Sequence, residues 1–220
     1  MRKLWVFGHS FCLPFNLEHK EHCWVDLLAR SLNIPYSNLS EPGSDNLFIY
    51  HTYRQALPDI NYNDLVIIGW SHPSRKSFVL DRNNPKHLAV CDQGLIYKTN
   101  TQEFFRSNNP TNKDVNTWLN FKPKDQGLAY YDIWFRDYYS DHEQRLNFQS
   151  YSDSVELTCP GRYIPFYFSE ESVKGIDLRE PHAGFMTEFI IKHQITLSSI
   201  DTHINEQGHA LWAEHLHKYI

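Results

Sequence analysis

The sequence predicts an α/β protein of three layers, α/β/α, with a mostly parallel sheet, and three observations along its 220 residues support this. Residues 1–72 alternate between short apolar runs and segments whose apolar residues recur at helical spacing. Residues 64–70 (DLVIIGW) are typical of a strand buried on both faces. Residues 205–219 are typical of a final amphipathic helix. Such alternation favours parallel strands joined by right-handed crossovers.

The elements of the first part are bounded by helix and strand breakers. The sequence Asn33-Ile34-Pro35 ends the first helical pattern, and Pro58 ends the second. The cluster at residues 41–46 (EPGSDN) is typical of a turn followed by a helix start. The predicted elements are a strand at 3–7, a helix at 22–32, a strand at 36–39, a helix at 46–57 and a strand at 64–70.

The second part begins with a long polar segment of little periodicity, residues 72–128, which contains Asn-Asn-Pro twice. We interpret it as an irregular insertion or lid within a single domain that spans residues 1–220. Loops of this length in compact domains usually have a functional role. Pro165 argues against a central position for the strand that contains it. The remaining predicted elements are a helix at 129–157 with a bend near Ser152, a strand at 162–168, a helix at 181–193, a strand at 195–200 and the helix at 205–219.

Composition excludes several classes of protein. The net charge is −5 and no run of Lys or Arg occurs, which argues against nucleic-acid binding. No apolar run approaches the roughly 20 residues needed to cross a bilayer, and the N-terminus lacks a signal-peptide pattern, so we expect no membrane association and a cytoplasmic location. The cysteines form no CxxC pair and are expected to be reduced thiols: Cys12, Cys23, Cys91 and Cys159.

Polar residues follow four of the predicted strands. Ser10 follows the first strand, Gly43 the second, Ser71 the third, and Asp201 with His203 the last. In open α/β sheets, ligands bind at the carboxyl ends of the strands. The sequence therefore predicts a site at that edge of the sheet.

These residue types suit a serine nucleophile. A serine hydroxyl is a weak nucleophile until a base such as His203 takes its proton. The histidine needs a carboxylate to fix its tautomer, and Asp201, two residues away, is placed for that role. Backbone N–H groups of Ser10 and Gly43 are candidate donors to the developing oxyanion. The alternative for Ser10 is a simple helix cap.

Three blocks of this sequence resemble those of SGNH (GDSL-like) hydrolases. Gly8-His9-Ser10 resembles their GDS block, with His9 where Asp usually stands, and residues 42–46 (PGSDN) resemble the second block, whose glycine contributes to the oxyanion hole. Residues 201–209 (DTHINEQGH) are similar to the last block, a DxH ahead of the C-terminal helix. Their order and their spread over almost the whole chain also match.

The resemblance implies a flavodoxin-like sheet and the SGNH hydrolase fold. It also implies a catalytic triad of Ser10, Asp201 and His203, and hydrolysis of small O-acyl esters such as acetyl groups on a carbohydrate. A serine triad requires no cofactor, and we expect neither an organic cofactor nor a bound metal. Three histidines of the last helix are interpreted as surface residues: His209, His215 and His217.

The third block departs from the family pattern. It usually offers GxN, whose Asn donates to the oxyanion, and this chain has Gly69-Trp70-Ser71 instead. Ser71 completes the predicted oxyanion hole with Ser10 and Gly43, although its side chain is shorter. Three further residues are candidate substrate contacts, of which the last is equally compatible with a solvated loop position: Asn46, His72 and Arg75.

The departure at the third block leaves three functions open. The first is an ester hydrolase that works through an acyl-enzyme. The second is a binding module on the same fold, weak or inactive in catalysis, that recognises a carbohydrate or another small ligand. The third is an acyl transferase whose acceptor is not water.

Overall fold

Four parallel strands form the central sheet of this chain in the computed structural model, in the order β2-β1-β3-β7. The structure describes residues 2–15, 17–73, 75–79, 87–92, 95–100, 140–170, 173–178, 181–197 and 203–220. The strands are β1 (Leu4–Phe7), β2 (Tyr36–Asn38), β3 (Leu65–Trp70), β4 (Lys76–Val79), β5 (His87–Asp92), β6 (Leu95–Asn100) and β7 (Arg162–Tyr167). The helices are α1 (Trp24–Leu32), α2 (Asn46–Ala56), α3 (Asp141–Thr158), α4 (Met186–Lys192) and α5 (Glu206–His217).

Alternating residues of the sheet face two separate apolar cores. Val6, Ile67 and Ile164 stand side by side in the register of β1, β3 and β7, and pack with α1, α4 and α5. Their neighbours Phe7 and Ile68 point the other way and pack with α2 and α3. A helical layer therefore covers each face of the sheet, and the predicted three-layer α/β/α class is confirmed.

The sequence places the first five elements within two residues of their observed bounds. Three later predictions are wrong within the described residues. Helix α3 continues through Ser152 without a break. Residues 181–185 are not helical, and in the predicted strand at 195–200 the described part forms only a bridge from Leu197 to Ile204.

Pro165 lies inside β7 without disturbing the sheet. Residues 183–185 run along the outer edge of this strand: the N–H of Ala183 donates to the carbonyl of Pro165 over 2.8 Å, and Tyr167 donates to the carbonyl of Gly184 over 3.0 Å. The backbone of Pro165 thus points away from β3, so its missing N–H removes no bond between the two strands.

Part of the predicted insertion at 72–128 is ordered as a sheet of its own. Strands β4, β5 and β6 form an antiparallel sheet in that order. Residues 101–128 lie outside the described part of the chain. The described residues of β4, β5 and β6 are therefore more regular than the weak periodicity of this segment predicts.

Three cysteines are free thiols, namely Cys12, Cys23 and Cys159, while the side chain of Cys91 is outside the described set. Within the described ranges, no helix has the length and apolar character required to cross a membrane.

Candidate active site

Ser10 begins a single 3-10 turn, Ser10–Cys12, directly after the buried strand β1. The Trp24 indole donates to the carbonyl of Phe11 over 2.9 Å, and the Asn38 amide donates to the carbonyl of Cys12 over 2.6 Å. Gly8 allows this tight exit, because a Cβ there would lie 2.6 Å from the Cys12 sulfur. The position of Ser10 is therefore fixed by side chains of α1 and β2.

His203 lies close to the turn that carries Ser10. Its imidazole stacks on Phe15, with ring centroids 4.8 Å apart, and contacts the Phe11 ring at 5.0 Å. His203 immediately precedes the start of α5, whose Asn205 cap accepts from the N–H of Gly208 over 2.9 Å. The structure thus places His203 beside the segment that contains Ser10, although the two residues lie 193 positions apart in the sequence.

Asp201 and its neighbours 198–202 lie outside the described residues. The role assigned to Asp201 from the sequence therefore stays a prediction.

His9, the residue in place of the usual Asp, is completely buried. Phe11 and Phe168 approach its ring edge to face, at centroid distances of 5.6 and 5.7 Å. Neither ring nitrogen has a hydrogen-bond partner among the described residues. Burial lowers the pKa of His9 well below its usual value, and the charges of Arg75 and His203 lower it further. His9 is therefore neutral at physiological pH and cannot act as an acid there.

The loop after β2 brings Gly43 to the same edge. The N–H of Glu41 donates to the carbonyl of Gly8 over 3.1 Å, which ties this loop to the end of β1. Gly43 is buried with φ of 69°, a left-handed conformation that favours glycine. Burial raises the pKa of the Glu41 carboxyl to about 8, so this group is largely protonated at neutral pH.

Two backbone N–H groups at this edge are available to a ligand. Within the described part of the chain, the N–H groups of Ser10 and Gly43 donate no hydrogen bond. Paired N–H groups beside a nucleophile can stabilise an oxyanion.

Ser71 follows β3 and is held through its backbone. The side-chain amide of Asn46 accepts from the N–H of Ser71 over 2.8 Å and donates to its carbonyl over 3.0 Å. Asn46 itself is buried at the start of α2. The amide of Asn46 is therefore occupied in positioning Ser71.

Arg75 lies between Ser71 and the rings around His9. Its Nη1 donates to the Ser71 Oγ over 3.0 Å, and its guanidinium carbon is 6.0 Å from the centroid of Phe168. His72 approaches the same Phe168 ring, at 6.5 Å between centroids. Both predicted contact residues after β3 thus reach the sheet edge that carries Ser10.

Three features of this edge were absent from the sequence prediction. The first is the set of partly buried rings, Phe11, Phe15 and Phe168, since an aromatic content of 15% does not show where the rings lie. The second is the neutral character of His9. The third is the use of His209, which is buried rather than on the surface as predicted: its Nδ1 accepts from the N–H of Trp24 over 3.2 Å.

No group of three or more His, Cys, Asp or Glu residues within the described ranges is arranged to hold a metal ion. The described groups at the sheet edge include hydroxyls, imidazoles, backbone amides and a guanidinium, which are suited to acyl chemistry and to binding an anionic oxygen.

No protein-family model and no curated protein sequence matches this chain. Several solved structures match this chain over 99–100% of its length. A protein assigned to the lipolytic G-D-S-L family from Desulfitobacterium hafniense DCB-2 is 12% identical, with a TM-score of 0.54 and 100% of both chains covered. A lipolytic G-D-S-L family member from Veillonella parvula DSM 2008 is 10% identical, with a TM-score of 0.51 over 99% of this chain and 97% of that one.

The psychrotrophic esterase EstA from Pseudoalteromonas sp., in a structure inhibited by monoethylphosphonate, is 10% identical to this chain. Its TM-score is 0.52, with 99% of this chain and 96% of that chain covered. At these identities the likeness concerns the fold, and the chemistry rests on the residues themselves.

Proposed function

We propose that this chain, which has an SGNH hydrolase-like fold, is an ester hydrolase with Ser10 as its nucleophile. The observation that carries the proposal is the placement of His203 against the turn that contains Ser10. Phe11, the residue after Ser10, contacts the His203 imidazole, with ring centroids 5.0 Å apart. A base beside a serine at the carboxyl edge of a parallel sheet is what acyl transfer to serine requires.

The proposed reaction has two steps. Ser10 Oγ attacks the acyl carbonyl carbon while His203 takes the hydroxyl proton, and His203 then gives that proton to the departing alcohol oxygen. Water attacks the acyl-enzyme with its proton taken by His203, which releases the carboxylic acid and restores Ser10. Asp201 is proposed to orient His203 in both steps.

The free N–H groups of Ser10 and Gly43 support the proposed oxyanion hole. Both would donate to the carbonyl oxygen as it becomes an oxyanion. Ser71 is proposed as a third donor, from the neighbouring strand.

The proposed substrate is a small O-acyl ester. Phe11, Phe15 and Phe168 place partly buried rings around the site and would form apolar walls for a short acyl group. Aromatic faces also stack on sugar rings, so an acetyl ester of a carbohydrate is our leading candidate.

A fluorophosphonate probe tests the nucleophile without knowledge of the natural ester. The phosphonate inhibitor of the esterase from Pseudoalteromonas sp., which shares this fold, motivates this class of probe. We expect stoichiometric labelling of Ser10 in the wild type, and none in Ser10→Ala. With p-nitrophenyl acetate, Ser10→Ala should lower kcat by at least about 10³-fold.

Ser40→Ala is the matched control. Ser40 is a buried serine near the same sheet edge, in the loop after β2. This variant should be labelled and should hydrolyse the ester as the wild type does. A folded wild type that is not labelled at Ser10 would refute the proposed hydrolase.

A binding module is the second candidate, and it is favoured by the departure of the third block, Gly69-Trp70-Ser71, from the family pattern. Ser71 is shorter than the usual Asn, and the nearby Asn46 amide is already occupied by the Ser71 backbone. Retained binding of acetylated glycans by Ser10→Ala, together with no labelling of the wild type, would support this candidate. Loss of turnover in Ser10→Ala would exclude it.

A further inference from the structure

The Ser71 hydroxyl has an unused proton. A serine hydroxyl has one donor and two acceptor lone pairs. Arg75 Nη1 occupies a lone pair of Ser71 Oγ over 3.0 Å, and the hydroxyl donates no hydrogen bond to any residue in the described ranges. Because Ser71 is only 2% exposed, bulk water is a poor partner for that proton. A buried donor without an acceptor is costly, which is acceptable where a ligand supplies the acceptor.

The orientation of this hydroxyl is set from two sides. Asn46 holds both backbone polar groups of Ser71, which fixes the Cα–Cβ direction. Arg75 then fixes the hydroxyl itself, since a guanidinium has only donors and cannot accept the serine proton. The proton must therefore point away from Arg75.

Ser71 and Ser10 occupy equivalent positions after the ends of two adjacent parallel strands, β3 and β1. Each lies two residues beyond a glycine, and the two glycines are in close approach: a Cβ on Gly8 would lie 3.1 Å from the carbonyl oxygen of Gly69. The guanidinium of Arg75 lies over Phe168, whose ring packs against His9, the residue next to Ser10. Arg75 and Ser71 thus lie at the same sheet edge as the nucleophile.

We propose that Arg75 is a positioning residue that aims the Ser71 hydroxyl at the oxyanion, so that the pair replaces the amide donor of the missing Asn. This inference rests on the proposed hydrolase and assigns the third oxyanion donor. Because the Arg75 guanidinium is positively charged, its hydrogen bond to Ser71 Oγ also makes the Ser71 hydroxyl a stronger donor. Arg75 acts through Ser71 and does not touch the reacting atoms.

A double-mutant cycle separates this role from direct substrate binding. The variants are Ser71→Ala, Arg75→Met and the double variant, assayed with p-nitrophenyl acetate and by the rate of fluorophosphonate labelling. We expect each single change to lower kcat by about 10²-fold, as for loss of one oxyanion donor, with KM within about twofold of the wild type. The kcat of the double variant should lie within about threefold of the kcat of Ser71→Ala.

A rescue variant guards against a merely structural effect. Ser71→Asn carries its own amide donor. Combining it with Arg75→Met should therefore raise kcat at least about tenfold above that of Arg75→Met alone. Arg54→Met is the control, because it removes the same charge from an exposed position on α2 and should leave activity unchanged. Thermal unfolding of every variant checks that the fold persists.

The outcomes are distinct. Additive losses in the double variant, an effect of Arg75→Met on KM alone, or no effect of Arg75→Met would overturn the positioning role while the hydrolase stands. An effect on KM alone would instead indicate that Arg75 binds an anionic group of the substrate. A wild type that neither labels nor hydrolyses would reject both the hydrolase and this inference.

Discussion

The imidazole of His203 stacks on the ring of Phe15, with centroids 4.8 Å apart and ring planes inclined by only 19°. Phe15 belongs to the loop after the Ser10 turn, so the segment that carries the proposed nucleophile also holds the proposed base. This stacking contact restrains the plane of the His203 ring. Phe11 contacts the same imidazole, with its ring tilted by 43° to it.

Replacing Phe15 should therefore impair catalysis more than stability. We expect Phe15→Ala to lower kcat/KM for p-nitrophenyl acetate by about 2- to 10-fold, since such aromatic pairs contribute about 0.5–1.5 kcal/mol. Phe15→Tyr retains the ring and should keep most of the activity. Tyr62→Ala, at a residue 78% exposed, serves as a remote aromatic control. Equal activity of Phe15→Ala and wild type would show that the stack does not orient His203.

Asp64 should matter for stability and not for catalysis. It lies at the end of β3 opposite to Ser71, and its carboxylate accepts from the N–H groups of Lys3 and Asn61 and from the Trp5 indole, all within 3.0 Å. Burial by itself raises the pKa of Asp64, but these hydrogen bonds outweigh burial and the net pKa is lowered.

Asp64→Asn should lower the free energy of unfolding by about 2–4 kcal/mol, because the amide cannot accept all three bonds. Since the folded pKa is depressed, the stabilisation is present above the unfolded pKa, near 3.9, and is lost as pH falls through the folded value. Urea unfolding at pH 7 and below pH 4 should show a smaller difference between wild type and variant at the lower pH. A reduced kcat per folded molecule would contradict the separation of this site from the active edge.

His209 should make the protein sensitive to mild acid. Its buried ring accepts from the first N–H of α1, and burial, aided by the charge of His203 and opposed by Glu206, lowers its pKa from 6.5 to about 3. Between these values the unfolded chain binds a proton that the folded chain does not, so stability falls as pH falls from about 6.5 towards 3. One such proton contributes a slope of about 1.4 kcal/mol per pH unit.

His209→Asn tests this, since the Asn carbonyl can replace Nδ1 as acceptor without titrating. As pH falls from 6 to 4, the free energy of unfolding measured with urea should decline less steeply in this variant. The difference in slope should correspond to about one proton. The buried His9 contributes a further proton in the same direction, so some slope should remain. His217→Asn, at an exposed position of α5, should leave the slope unchanged. An unaltered slope in His209→Asn would show that His209 is not the titrating group.

Much of the fold could be predicted because periodicity records burial. The run at 64–70 contains the strand Leu65–Trp70, fully buried as expected, and the helix starting at Asn46 begins after the predicted cap cluster. The prediction failed where the pattern depends on a neighbour. Residues 181–185 were predicted to be helical, but residues 183–185 pair with the outer edge of β7, and that same pairing makes Pro165 acceptable in the strand.

The sequence by itself determined the α/β alternation, and with it the common edge at which Ser10, Gly43 and Ser71 lie, because the carboxyl ends of parallel strands must meet. Only the tertiary structure decided that Asn46 holds the Ser71 backbone from 25 residues away, or that His209 meets Trp24 from 185 residues away. The physical reason is that apolar spacing states which face of an element is buried. Which polar group it meets there depends on how separate elements pack.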